Sequence, residues 1–513
     1  MIGFVKKGST LSDQRPDIII IGGGSAGLEI ARIASRAGQK ITLLEDGLPK
    51  GRHVMQRVPL LVGKIIANLR FVSHDKTLPQ KGLRKRILPL ILGRGLGGSS
   101  RINGNVADAG PMARYEACFP FWSPADIAAI LLGLDRSGEC QISRQDSWTD
   151  GLTKIFLEHA AKDFPNSDPF FKARTLSVHT KRGLRFNHFD GYRLTANHAN
   201  ITLIQDAKVT RLSMDGARVT GVTYLHGGQS HKLAADQIVL AAGVVQSPLI
   251  LMRSGIGDRV VLEQAKITCQ HNLLHVGKHL KDHPNIRIPF AAPGHNTLNQ
   301  KTRGLAAMFE GVKFILGFKN TVVRGPGASA GVNISLKDQL AVRLQLVHFT
   351  QDRSCISDQG IQFERGQKAS IGFSPLWPRS EGSITLDANA APLIDPAFLT
   401  DPQDLIMAKA GLAAAYQLIK SMGFTPDDEV PAHEQEQFLR DGAYSGYHLL
   451  GSNRMAQSEK IGVVGPDFGV FGLSGLYVVD ASVMPDQLSS HSYLPTIALA
   501  RLFAHQKGWK AAI

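Results

Sequence analysis

The chain has 513 residues, 43% of them hydrophobic and 20% charged, with 58 Lys+Arg against 43 Asp+Glu and a formal net charge of +15. That apolar fraction excludes a disordered chain, and no short repeating composition marks a collagen-like or low-complexity one. At roughly 100–200 residues per domain, the length accommodates two to four domains with substantial cores.

The N-terminal stretch MIGFVKKGSTLSDQRPD has two lysines but neither an apolar signal-peptide core nor a twin arginine. No apolar run approaches the roughly 18 residues of a membrane span. The expectation is a soluble, cytoplasmic chain with no transmembrane segment.

Asp17 leads into Ile18-Ile19-Ile20-Ile21, a β-branched run that reads as a buried parallel strand. Gly22-Gly23-Gly24-Ser25-Ala26-Gly27 follows at once, then a helical pattern through Ile30, Ile33, Ala34 and Ala37, stopped at Gly38. A second apolar stretch, Ile41 to Leu44, completes a βαβ unit. In such a unit Gly22 permits the tight turn, Gly24 lets the backbone approach a pyrophosphate, and Gly27 lets helix and strand pack closely. The free N–H groups of the helix start favour phosphate, and Glu45 at the end of the second strand is placed to accept hydrogen bonds from ribose hydroxyls. The unit predicts one bound dinucleotide and does not separate FAD from NAD.

A basic cluster, Lys76, Lys81, Arg84, Lys85 and Arg86, has no aromatic residues between its members. It reads as a solvated loop or a cover over a phosphate-bearing cofactor, and no nucleic-acid partner is expected. The block Gly93-Arg94-Gly95-Leu96-Gly97-Gly98-Ser99-Ser100-Arg101-Ile102-Asn103-Gly104 is a loop able to touch a flat or phosphorylated ligand. Gln237 to Leu240 reads as another strand, leading through Ala241-Ala242-Gly243 to Ser247-Pro248, expected as a helix entry with proline in the first turn. Cys118, Cys140, Cys269 and Cys355 form no C-x-x-C pair, so no metal site is expected and redox chemistry would need a bound cofactor.

Taken in order, these blocks resemble the glucose–methanol–choline (GMC) oxidoreductase family. The match continues through Asn200-Ile201-Thr202 leading to Val209, Ala242-Gly243, Ser254-Gly255-Ile256-Gly257, and Val276-Gly277 with Leu280, Asp282 and His283, and it ends with Val479-Asp480-Ala481-Ser482-Val483-Met484-Pro485. Landmarks between them are Pro378 to Gly382 and Ile394-Asp395-Pro396. The resemblance implies an α/β fold: a discontinuous Rossmann-like FAD-binding domain over residues 1–150, 197–285 and 440–513, and an α+β substrate-binding domain on an antiparallel sheet over 151–196 and 286–439. It implies FAD contacts from Gly22, Gly24, Ser25, Ala26, Gly27, Glu45, Gly97, Ser99, Asn103, Gly104, Val209, Ala242, Asp480, Ala481 and Tyr493. Ile102 stands where some members carry a flavin-linking histidine, so noncovalent FAD is expected.

Removing a hydroxyl proton at neutral pH suits a histidine, and the chain has 18. His448, in Tyr447-His448-Leu449-Leu450-Gly451-Ser452-Asn453-Arg454-Met455, resembles the family's H-P-x-G-T-x-x-M block, with Leu449 and Ser452 in place of Pro and Thr. His491, in Ser489-Ser490-His491-Ser492-Tyr493-Leu494-Pro495-Thr496, matches the second active-site position. By resemblance His448 is the general base and His491 its partner at the substrate oxygen. The apolar helix from Pro495 would turn its positive end toward charge developing on the reduced flavin. The implied reaction is oxidation of the CH–OH group of an alcohol, polyol or sugar, with hydride passing to flavin N5 and then to oxygen or a quinone-like acceptor. A non-redox lyase or photoenzyme on the same scaffold is the alternative. Substrate, acceptor and oligomeric state stay open.

Overall fold

Four consecutive isoleucines leave no polar face, so the strand they form must be covered on both sides. The computed structural model describes residues 15–47, 54–136, 142–144, 151–318, 321–325, 327–357 and 360–509. In it Ile18–Ile21 is the fully buried centre of a five-stranded parallel sheet. The order across the sheet is Leu476–Val478, Gln237–Leu240, Ile18–Ile21, Ile41–Glu45 and Ile201–Gln205. Ile18 to Ile21 pair with Ile41 to Leu44 on one side and with Gln237 to Leu240 on the other. The chain therefore leaves the central strand toward one edge and later returns to its other side. That reversal opens a crevice at the carboxyl ends of the strands, where Gly22 begins its turn.

The Ser25–Arg36 helix follows the turn and ends with Gly38 at φ +89°. It packs along the Tyr493–Gln506 helix, joining the start of the chain to its end. Between them lies a buried charge cluster. Glu29 accepts from Arg32 (2.9 Å), His188 (2.9 Å) and Arg501 (2.7 Å). Burial opposes its charge, but the two guanidiniums and the His188 hydrogen bond hold its carboxyl well below the ordinary range.

One local expectation is corrected. The helix after Gln237–Leu240 begins at Gly243 and runs to Arg253, so Pro248 lies inside it and not in its first turn. Proline has no N–H to return to the carbonyl one turn back. That carbonyl, on Val244, instead accepts a hydrogen bond from the Ser452 hydroxyl at 2.6 Å. A residue of the His448 block thus satisfies the group that the proline leaves open.

The second sheet is six-stranded and antiparallel, in the order Tyr444–Ser445, Pro284–Ala291, Lys368–Pro375, Ala341–Val347, Ala328–Ser335, Arg174–Thr175. Alternation along its strands separates two faces. Ile286, Ile288, Phe290, Val342, Leu344, Leu346, Ile371 and Phe373 join the core under the Pro402–Ser421 helix. Leu83 and Leu88, from the segment before Gly93, belong to that core too. The opposite face carries polar groups, Asn285, Arg287, Arg343 and Gln345 among them. The fold is thus α/β, a Rossmann-like domain joined to an α+β domain on an antiparallel sheet.

The basic cluster is in part a clamp and not a free loop. Arg84 pairs with Asp441 (2.7 Å), and Arg86 donates to the carbonyls of Arg440 and Ala443 at the end of the Gln435–Gly442 helix. Cys118 and Cys269 are free thiols. Cys140, the Cys355 side chain and the N-terminal stretch before Arg15 lie outside the described residues.

Candidate active site

The two glycine-rich loops meet at the mouth of the crevice, and Glu45 binds them together. Its carboxylate accepts from the backbone N–H of Gly23 (2.7 Å), Gly47 (2.8 Å) and Gly95 (3.0 Å). Three donors leave about one of a carboxylate's four acceptor positions for a ligand hydroxyl. Gly97 N–H donates to the Gly23 carbonyl (2.7 Å), and a Cβ on Gly98 would lie 3.0 Å from Gly24 Cα. Ser99 accepts from Gly93 N–H, and exposed Gly104 closes the second loop. Two glycines differ in what they face. A Cβ on Gly27 would stand 1.9 Å from the Gly22 carbonyl oxygen, whereas one on Gly24 would meet no protein atom within 4 Å. Gly27 is there for packing, and Gly24 faces open space at a helix start that has no side-chain cap. Such a cradle of uncapped N–H groups fits a pyrophosphate.

Further along the crevice Asp480 ties the 243 helix to the C-terminal segment. Its Oδ2 accepts from Ser247 (2.6 Å) and Gly243 N–H (2.9 Å), and its Oδ1 from Ser482 N–H (2.8 Å). Ala242 N–H donates to Ser247, and the Ala481 carbonyl accepts from Gly451. Val209 is buried beside a bulge in the Ala207–Asp215 strand. Asn103 Oδ1 accepts from Arg185 (2.6 Å) and lies 3.0 Å from His179 Nε2, while the Tyr493 ring packs on His179 at 4.4 Å. Next to Asn103, the Asn105 side chain is fully buried with neither amide atom hydrogen-bonded among the described residues. A buried amide with no protein partner fits a flat, polar-edged ligand laid against this loop.

His448 and His491 come from separate segments and meet here, ring centroids 4.9 Å apart and nearly perpendicular. Asp282 sets the His448 backbone. Its Oδ1 accepts from the N–H of His283 and of His448 (both 2.8 Å), and its Oδ2 from the Ser445 hydroxyl (2.5 Å). Tyr447, at φ +59°, makes the bend between them. Burial pushes the Asp282 carboxyl up to about 7 against those hydrogen bonds.

The third imidazole determines which His448 nitrogen is free. His283 Nε2 lies 2.9 Å from the Leu376 carbonyl, which can only accept, so Nε2 carries the hydrogen. Burial holds His283 down at about 4, hence neutral, and leaves a lone pair on its Nδ1. That atom is 3.0 Å from His448 Nδ1, which must therefore donate. His448 Nε2 then keeps its lone pair. Burial first, then His283 and Arg343, hold His448 well below the ordinary imidazole value. Burial with Arg343 and His448 does the same for His491, whose Nδ1 is 3.2 Å from the Ser490 hydroxyl.

The polar sheet face covers this group. Buried Arg343 donates to the Ser490 carbonyl (3.0 Å) and to Gln345. Arg287 stacks on Phe349 and Tyr444, and its Nη1 is buried without a hydrogen-bond partner among the described residues. The two guanidiniums line a small cavity of about 30 Å³ with Asn285, Gln345, Ser374 and Tyr444. In the sequence Asp282 and His283 stand out only as family landmarks, and Arg287 and Arg343 not at all. The alternation of Arg343 and Gln345 with Val342, Leu344 and Leu346 is the signal that marks a polar face there.

A parallel sheet with a phosphate cradle at its switch point, a buried imidazole group beside it and a second sheet as cover define a two-domain dinucleotide-binding protein. The GMC oxidoreductase N-terminal profile matches residues 16–285 and the C-terminal one residues 378–500. The chain belongs to that family, and its cofactor is FAD. It is 27% identical to the alcohol dehydrogenase [acceptor] of Pseudomonas putida, covering 94% of both chains. It is equally 27% identical to human mitochondrial choline dehydrogenase, over 94% of this chain and 88% of that one. The fold is similar to that of pyridoxine 4-oxidase from Mesorbium loti, with a TM-score of 0.83 and 22% identity over 97% of this chain and 100% of that chain.

Proposed function

We propose that the chain oxidises the CH–OH group of an alcohol, polyol or sugar, with His448 Nε2 as the general base. The observation that carries this reading is the 3.0 Å contact between the Nδ1 atoms of His283 and His448, which leaves the basic nitrogen of His448 unprotonated and available. His491, on the adjacent ring, orients the substrate oxygen. When His448 takes the hydroxyl proton, its Nδ1–H stays bonded to His283, and that bond strengthens as the ring becomes cationic. Buried Arg343, whose charge acts on all three imidazoles, disfavours a cationic substrate and suits a neutral or anionic one.

Bound FAD supplies the hydride-accepting chemistry that no side chain offers. The residues that would hold it are Gly22, Gly24, Ser25, Ala26 and Gly27 with Glu45 in the first unit, Gly97, Ser99, Asn103 and Gly104 in the second loop, and Val209, Ala242, Asp480, Ala481 and Tyr493. Ile102, buried in a small apolar cluster and without a nucleophile, leaves the cofactor noncovalent, so acid precipitation should release the flavin. The deciding experiment is anaerobic mixing with a panel of alcohols and sugars. The flavin absorbance of the wild type should bleach, and His448→Ala should keep its flavin yet bleach about 10²–10⁴-fold more slowly. Full flavin content with no bleaching by any substrate would point to the non-redox alternative.

A further inference from the structure

A surface helix of a water-soluble domain turns its apolar stripe to the core and its charges to water. The Gly304–Ile315 helix does the reverse. Leu305 (79% exposed), Met308 (64%), Phe309, Val312 and Ile315 (83%) face solvent, as do Leu316 and Phe318 just beyond its end, while Glu310, the helix's one acid, is buried. The inward face is held by hydrogen bonds. Glu310 accepts from Val322 N–H and from Lys313 (both 3.1 Å), and its backbone carbonyl from Thr321 (3.2 Å). The helix is thus fixed to the 321–324 turn and keeps a contiguous apolar side uncovered, which scattered surface residues do not do.

The charged residues that lead into the helix, Lys301 and Arg303, are positive; Lys313 pairs with the buried Glu310 (3.1 Å) and reaches over the Phe309 ring at 4.8 Å, so the helix's one acid adds no negative charge to the exposed side. A second copy of a chain carrying +15 would bring the same positive residues against itself in a self-complementary contact. An anionic lipid surface offers both missing complements, an apolar layer and negative headgroups. We infer that the Gly304–Ile315 helix docks flat into the interface of an anionic bilayer and holds the chain on the membrane surface. Among the described residues no helix is long and apolar enough to cross a membrane, so docking here is peripheral.

Co-flotation of the holoenzyme with vesicles tests this. The wild type should float with vesicles of phosphatidylcholine mixed with phosphatidylglycerol, less with phosphatidylcholine alone, and be partly released by salt. A Leu305→Glu, Ile315→Glu double variant alters only exposed positions, so its flavin content and its turnover of a soluble alcohol with a dye acceptor should be unchanged. Its flotation should fall at least about tenfold. Leu305→Gln with Ile315→Gln serves as a second, uncharged variant with the same expected direction. Failure of the wild type to float, or flotation undiminished in both variants, would overturn the inference. So would a wild-type dimer in gel filtration that the variants convert to monomer, which would assign the face to a second copy.

Discussion

His283→Ala removes the acceptor of the His448 Nδ1–H while leaving the base itself in place. In the resting site the bond joins two neutral rings 3.0 Å apart and contributes about 1 kcal/mol. In the transition state His448 becomes cationic, and a hydrogen bond to a charged group is worth about 1.5–3 kcal/mol. Only the difference, about 0.5–2 kcal/mol, is realised as the proton arrives, so kcat and kcat/KM should fall together, by roughly 2- to 30-fold. His283 is a positioning residue, so the variant must be shown to hold wild-type flavin and to melt near the wild-type temperature. His283→Asn, which keeps an acceptor oxygen near the Nδ1 position, should recover much of the loss. Steady-state kinetics with any substrate that bleaches the flavin decides it. An alanine variant within about twofold of wild type at full flavin content would refute the tautomer assignment, as would an asparagine variant no better than alanine.

Two other outcomes follow from the same geometry. Gly24→Ala introduces a methyl that meets no protein atom, at an ordinary φ of −73°, so the variant should fold with an unchanged melting temperature yet bind FAD at least about tenfold more weakly in a reconstitution titration. Gly27→Ala drives its methyl into the Gly22 carbonyl at 1.9 Å and should yield little folded protein; equal behaviour of the two would contradict the separation of packing from cofactor contact. Burial disfavours the cationic form of His448, so the neutral base should persist below the ordinary 6.5. No His448 limb should then appear at neutrality in the kcat/KM profile; because Asp282, which holds the His448 backbone, is pushed up to about 7, an acid limb at or above 7 counts against His448 as base only if it persists in Asp282→Asn.

The sequence by itself determined the features made by contiguous residues. The isoleucine strand, the Gly22 to Gly27 turn, the helix after it and Glu45 were legible because strand periodicity, glycine spacing and helix stops act within a few residues of one another. His448 and His491 were legible through their neighbours in the family blocks. Long-range placement was not. His283 lies 165 residues from His448; the pairing of Pro284–Asn285 with Tyr444–Ser445 helps bring the two rings together, and the Leu376 carbonyl, from a third segment, fixes the tautomer. Nothing local to Glu29 marks it as buried; Arg501, 472 positions later, folds against it. Pro248 looked like a helix start because the donor that satisfies Val244, the Ser452 hydroxyl, comes from another segment. The outward apolar side of the Gly304–Ile315 helix is of the same kind. Periodicity shows that a helix has two faces, but the hydrogen bonds of Glu310 to Val322 and Lys313 decide which one meets the protein.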